Sequence, residues 1–297
     1  MNTSLDCLVC FLRQALDAAR MISSGPMVQE QIMRELMAWT ARMDLGAPPP
    51  VVGQRIHRRL RELTDVKDPY RAVKDQGNRM ALALLPDLEA SVAKARDPMD
   101  MALRLALAGN VIDMGVNSSV SPADLAVAVG QAMTASIQGS LEEFRKAADE
   151  AHTILFLADN AGEIVFDRLL IAQLGPERVT VAVRGGPVIN DATLADAEAV
   201  GLTGMVRVID NGSDAPGTLL HDCSETFRRH FESADLIIAK GQGNFETLSQ
   251  EVCTIFFLFK VKCPVIASHV GFPVGTHVLT TPRIEALPTT TEQKGGA

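Results

Sequence analysis

Three segments of this chain set carboxylates, carboxamides and glycines directly behind short apolar runs. Asp159-Asn160-Ala161-Gly162-Glu163 follows residues 154–158, and Asn190-Asp191-Ala192-Thr193 comes soon after residues 179–183. Lys240-Gly241-Gln242-Gly243-Asn244 follows residues 235–239. A fourth run, 205–209, ends in Asp210-Asn211-Gly212-Ser213-Asp214. Two aspartates and an asparagine offer hard oxygen donors, suited to Mg²⁺, Mn²⁺ or another divalent ion whose shell water completes. A lysine balances phosphate charge, and glycines and helix starts supply backbone N–H donors for the same group. Together they match what phosphoester hydrolysis requires. Each segment alone reads equally well as a turn and helix cap. The joint pattern carries the inference.

For these residues to meet, the runs must be parallel strands whose carboxyl ends share one edge, because open α/β sheets bind ligands there. From residue 152 the sequence supports this. TILFLA, RVTVAV, MVRVI, DLIIA and PVIAS are short aliphatic runs, and helix-like stretches such as EIVFDRLLIAQLG and CSETFRRHFESA lie between them. That alternation predicts βαβ units and a mainly parallel sheet covered on both faces. Residues 1–150 carry apolar positions at three- and four-residue spacing and predict helices. The expected organisation is a helical domain over 1–150, an α/β metal- and phosphate-binding domain over 151–280, and a flexible tail over 281–297. The two domains could pack as one unit. RIHRRLRELTDVK, locally basic with leucines at helical spacing, predicts a solvated helix face.

Composition narrows the function. A net charge of -8 and 4% aromatic residues disfavour a nucleic-acid partner and an anionic membrane surface. No apolar run approaches the roughly 20 residues that span a bilayer. The N-terminus lacks the basic flank of a signal peptide, so the expected compartment is the cytoplasm, with the five cysteines as reduced thiols. Nothing in the sequence sets the oligomeric state.

Several stretches resemble one family. CLVCFLRQ, DPYRAVKDQGN, GNVIDMG, DNAGEIVFD, RGGPVINDATLADA, DNGSDAPGT, ADLIIAKGQGNFETL and FKVKCPVIASHVG occur in the order found in the DUF89, or ARMT1-like, damage-control phosphatases. The match is closest to the prokaryotic branch with an N-terminal CxxC. The resemblance implies a Rossmann-like three-layer α/β domain plus an N-terminal all-helical domain. It also implies one divalent cation (Mn, Mg, Co or Ni) and hydrolysis of small phosphorylated metabolites. Carried onto this sequence, the metal ligands fall on Asp159, Asn160 and Asp191. The phosphate-side motif falls on Lys240, Gly241 and Asn244. Asn110 and Asp113, three residues apart and so on one helix face, lean over the same cleft or form a buried structural pair.

Hydrolysis is then direct attack by water or passage through an aspartyl-phosphate, with Asp159, Asp191 and Lys240 as catalytic candidates and Glu163 as a candidate acid, base or phosphate contact. Two other classes compete. A regulatory protein would bind a phosphorylated ligand or nucleotide without turnover, and a cofactor enzyme would share the fold. GQGN lacks the third glycine of a dinucleotide fingerprint, and a pure binder needs no oxygen cage. Cys7 and Cys10 form half a tetrahedral zinc site. On one helix face they also fit simple packing.

Overall fold

A computed structural model describes residues 1–21, 25–109 and 122–282, the last span by backbone only at 122–126 and 128. Among the described residues, six helices come first: α1 (Leu5–Met21), α2 (Pro26–Thr40), α3 (Pro49–Thr64), α4 (Arg71–Lys94), α5 (Pro98–Ala108) and α6 (Pro122–Thr134). Proline opens α2, α3 and α5 at the first turn, where its missing N–H costs nothing. A two-residue strand, β1 (Ile137–Gln138), and α7 (Leu141–Glu150) follow. The alternating part runs β2 (Ile154–Leu157), α8 (Glu163–Leu174), β3 (Val179–Val183), α9 (Leu194–Ala199) and β4 (Arg207–Asp210). It continues with α10 (Glu225–Ser233), β5 (Leu236–Lys240), α11 (Gln242–Leu248), β6 (Ile255–Lys260), α12 (Pro264–Val270) and β7 (His277–Thr280).

The seven strands form one sheet in the order β1-β7-β6-β5-β2-β3-β4. Among the described residues, only the β6–β7 strand pair is antiparallel. The expected α/β class with a mainly parallel sheet is observed. Chain order reverses on either side of β2, so the crevice beyond the carboxyl ends of β2, β3 and β5 is the switch point where such sheets bind ligands.

Period-two alternation sends Ile154 and Phe156 to one face and Leu155 and Leu157 to the other. The first face packs under α4, α5 and α8, and the second under α10, α11 and α12. Fully buried side chains such as Phe156, Phe166 and Leu103 each contribute about 1.5–3 kcal/mol. A third apolar cluster joins α1, α2 and α3 through Phe11, Ala15, Leu36, Ile56 and Leu60, with Ile189 of the α/β part against it. Thus α1–α3 have their own core, whereas α4, α5 and α7 share the sheet's.

Two local expectations change, one of them in part. PVIAS is the start of α12, with Pro264 in its first turn and Ile266 and Val270 buried one turn apart. The strand in that region is β6, whose FFLF lies wholly inside. The basic helix α3 is solvated along Arg55, Arg58 and Glu62, as expected, but part of its polar surface also meets the loop after β4. Arg58 pairs with Asp214 at 2.6 Å, Arg61 also pairs with Asp214, and Gln54 donates to Asp222 at 2.6 Å. Acids on the loop after β4 attract these donors. Asp214 is thereby tied to α3. The tail beyond residue 282 lies outside the described residues. Among those residues, no helix is long and apolar enough to cross a membrane.

Candidate active site

β2 delivers Asp159 and Asn160, and a short antiparallel bridge joins Asn160 to Asp191. Ala161 N–H donates to the Asn190 carbonyl at 2.9 Å and Ala192 N–H to the Asp159 carbonyl at 2.8 Å. Those bonds bring together two loops about thirty residues apart in sequence, as a common site requires. Ile189, just ahead, holds φ at +43°. A β-branched residue in the left-handed region is strained, and such strain concentrates at working sites.

One guanidinium, absent from the sequence-based candidates, organises the pair. Arg184, the residue after β3, donates from Nε to Asp191 Oδ2 at 2.7 Å, and its Nη2 lies 3.7 Å from Asp159 Oδ1. Its Nη1 reaches Asn244 Oδ1 at 3.3 Å. The Asn160 amide donates to Asp159 Oδ2 at 2.9 Å and to Glu163 Oε2 at 3.2 Å. Burial first, then the neighbouring Asp191 and Glu163 charges, raise the Asp159 carboxyl well above its ordinary range.

Lys240 stands elsewhere than expected. Leu236, Ile238 and Lys240 share one face of β5, so the lysine side chain passes into the core beneath α5 and α8. It is fully buried and donates to Glu163 Oε1 at 2.6 Å, Asp167 Oδ1 at 2.6 Å and the Ala106 carbonyl at 2.9 Å. Its three donors are spent on protein acceptors. Asn244 is likewise occupied: Oδ1 accepts from Thr218 at 2.8 Å and Nδ2 donates to the Lys240 carbonyl at 2.7 Å. Glu163, also fully buried, is bound to Lys240 and Asn160. Lys240, Asn244 and Glu163, expected on the phosphate side, thus make their hydrogen bonds to protein groups behind the cavity wall. Gly241, at φ +81°, passes so close to Asp159 that a β-carbon there would overlap its carboxylate. Asn110 and Asp113 lie outside the described residues; the adjoining Gly109 packs on Glu163, where an added β-carbon would meet Cγ at 2.7 Å.

Asp159, Asn160 and Asp191 line a cavity of about 630 Å³, together with α1 residues, Tyr70, Gln242, Gly243, Glu246, Lys262 and Cys263. Lys262 is the lysine lining it, and its charge favours the ionised forms of Asp159 and Glu246. Cys7 and Cys10 also line it, half-buried and exposed respectively, with Cys263 nearby; burial pushes both thiols up. A cavity of about 720 Å³ opens at the opposite ends of the strands, lined by His152, Arg178 and Arg207, far from these carboxylates.

Could the floor of the first cavity hold a cation? Among the described residues no three His, Cys, Asp or Glu side chains form a ready metal cage. The third donor here would be the Asn160 carboxamide. Charge supports the fit: Asp159, Asp191, Glu163 and Asp167 face the buried cations Arg184 and Lys240, leaving two negative charges. Burial beside Asp191 and Glu163 makes the Asp159 charge costly where it stands, and a divalent ion would offset that cost.

An acidic, oxygen-rich pocket at the switch point of a mostly parallel sheet marks an α/β protein built to bind a small charged ligand. The chain belongs to the family of the damage-control phosphatase ARMT1-like domain, which matches residues 3–278. A damage-control phosphatase of Pyrococcus horikoshii is 34% identical, covering 94% of this chain and 97% of its own. One of Archaeoglobus fulgidus is 31% identical, covering 94% and 98%. An uncharacterized protein of Methanocaldococcus jannaschii is 33% identical, covering 92% and 93%. The crystal structure of a DUF89 family protein from Pyrococcus horikoshii superposes with a TM-score of 0.87 at 32% identity, over 95% of this chain and 100% of the other.

Proposed function

We propose that this chain is a divalent-cation-dependent phosphatase acting on small phosphorylated metabolites. The observation that carries the reading is the convergence of Asp159, Asn160 and Asp191 on the floor of a cavity of about 630 Å³, a size that suits a metabolite. These three residues would hold the cation (Mn, Mg, Co or Ni by ligand type), which when bound supplies Lewis-acid chemistry at the phosphoryl group. Arg184 keeps the two aspartates apart yet aimed together, by pairing with Asp191 and lying against Asp159. Lys262 takes the role first expected of Lys240, balancing substrate charge from the cavity wall. Gln242 and Gly243, in the first turn of α11, line the same cavity.

The test is phosphate release from p-nitrophenyl phosphate and a panel of phosphorylated metabolites, with each divalent ion in turn. Asp159→Ala and Asp191→Ala should abolish release, about 10³-fold or more. Lys262→Ala should raise KM about 10–100-fold and leave cation affinity within twofold, as expected for a charged contact worth about 1.5–3 kcal/mol. Cation binding without turnover on the whole panel would favour a regulatory binder and sink this reading.

A further inference from the structure

Lys240 is a fully buried lysine whose ammonium lies outside the cavity. Such groups are rare, and an apolar replacement would often be as stable, so its retention calls for a purpose besides stability. We propose that Lys240 is a positioning residue: it fixes Glu163, and Glu163 sets which end of the Asn160 carboxamide faces the cavity.

The geometry supplies each link. Glu163 gives Oε1 to Lys240 at 2.6 Å and Oε2 to Asn160 Nδ2 at 3.2 Å. The second hydrogen of Nδ2 goes to Asp159 Oδ2 at 2.9 Å. Glu163, paired with the Lys240 ammonium, only accepts, so the nitrogen of Asn160 must face it, which leaves Oδ1 for the cavity. An amide lacking these acceptors could present an N–H donor where a cation needs a lone pair. Gly109 packs on Glu163 Cγ and Asp167 holds the far side of the ammonium at 2.6 Å, so neither link has room to swing. Residues that orient a ligand's donor atoms in this way typically change metal affinity about 10–100-fold when replaced.

This inference rests on the proposed cation site and is tested on the full chain by calorimetric titration with Mn²⁺ alone, alongside kinetics with p-nitrophenyl phosphate. Glu163→Gln and Lys240→Met should each weaken Mn²⁺ binding about 10–100-fold, while kcat at saturating Mn²⁺ stays within about threefold of wild type. The double variant should be no weaker than the worse single one, because both act through one amide. If Lys240→Met does not fold by circular dichroism, Glu163→Gln decides alone. Unchanged Mn²⁺ affinity with a lost kcat or a raised KM would overturn the proposal and return Lys240 to direct contact with substrate. Wild-type protein that binds no Mn²⁺ overturns the function reading as well, whereas the former result leaves that reading standing.

Discussion

Gly241 sits at φ +81° with its α-carbon against the Asp159 carboxylate, so neither the backbone nor the space admits a side chain. Gly241→Ala should cost about 1–3 kcal/mol of strain and push Asp159 off the cavity floor. Thermal unfolding and Mn²⁺ titration of the variant should both fall; an unchanged cation affinity would show that Asp159 is not a ligand. At this scale the sequence was partly legible. Asp159, Asn160 and Asp191 stood out because hard donors directly behind apolar strands are chemically conspicuous. Arg184 did not, since an arginine after a strand looks the same whether it meets solvent or two buried aspartates. Ending the strand at Ala239 puts Lys240 on the loop, which is why the sequence points it toward a phosphate. One more residue of alternation places it with Leu236 and Ile238, facing the core.

The helix α4 and the turn into α8 show how an element is held at the angle the site requires. Asn78, on α4, accepts from Gly162 N–H at 2.6 Å and donates to Asp196 at 3.1 Å. Asp196, fully buried, also pairs with Lys74 at 2.9 Å and Arg71 at 2.7 Å, and caps α9 through Thr193. One carboxylate thus ties α4 to both ligand-bearing loops, the one before α8 and the one before α9. Asp196→Ala would leave Lys74 buried with only Asp68, 3.2 Å away, and should destabilise the protein by about 3–5 kcal/mol. Urea unfolding reads this directly; a loss under about 1 kcal/mol would mean the pairing is dispensable. DPYRAVKDQGN was visible as a motif, but its partner Asp196 lies more than a hundred positions away, and no local pattern reveals such a pairing. The same limit hid β6 and mistook PVIAS for a strand. Short apolar runs fit either element until their packing is known.

Across the whole molecule, buried acids on both sides of the sheet set a pH dependence opposite to that of most proteins near neutrality. Burial raises Glu246, beside the cavity, to about 7, and burial also raises Asp167 to about 7 against the pull of Lys240. A carboxyl whose folded pKa is raised gives stability that is full below its unfolded value and is lost as pH climbs through the folded value. Asp196 and Asp214 are held below their ordinary range by Lys74 and by Arg58 and Gln54, despite burial, so their contribution is lost only as pH falls below about 4. Metal-free protein should therefore be most stable near pH 4.5–5 and weaken toward pH 7.5. Glu246 accounts for part of that decline. Urea midpoints in EDTA from pH 4.5 to 8 measure the slope, and Glu246→Gln should flatten it. Adding Mn²⁺ should restore stability chiefly at the upper end, where fewer protons compete with it for the carboxylates. A metal-free midpoint that rises steadily from pH 5 to 8 would show that these carboxyls are ionised in the fold, and that the excess negative charge inferred at the site is met by some other cation.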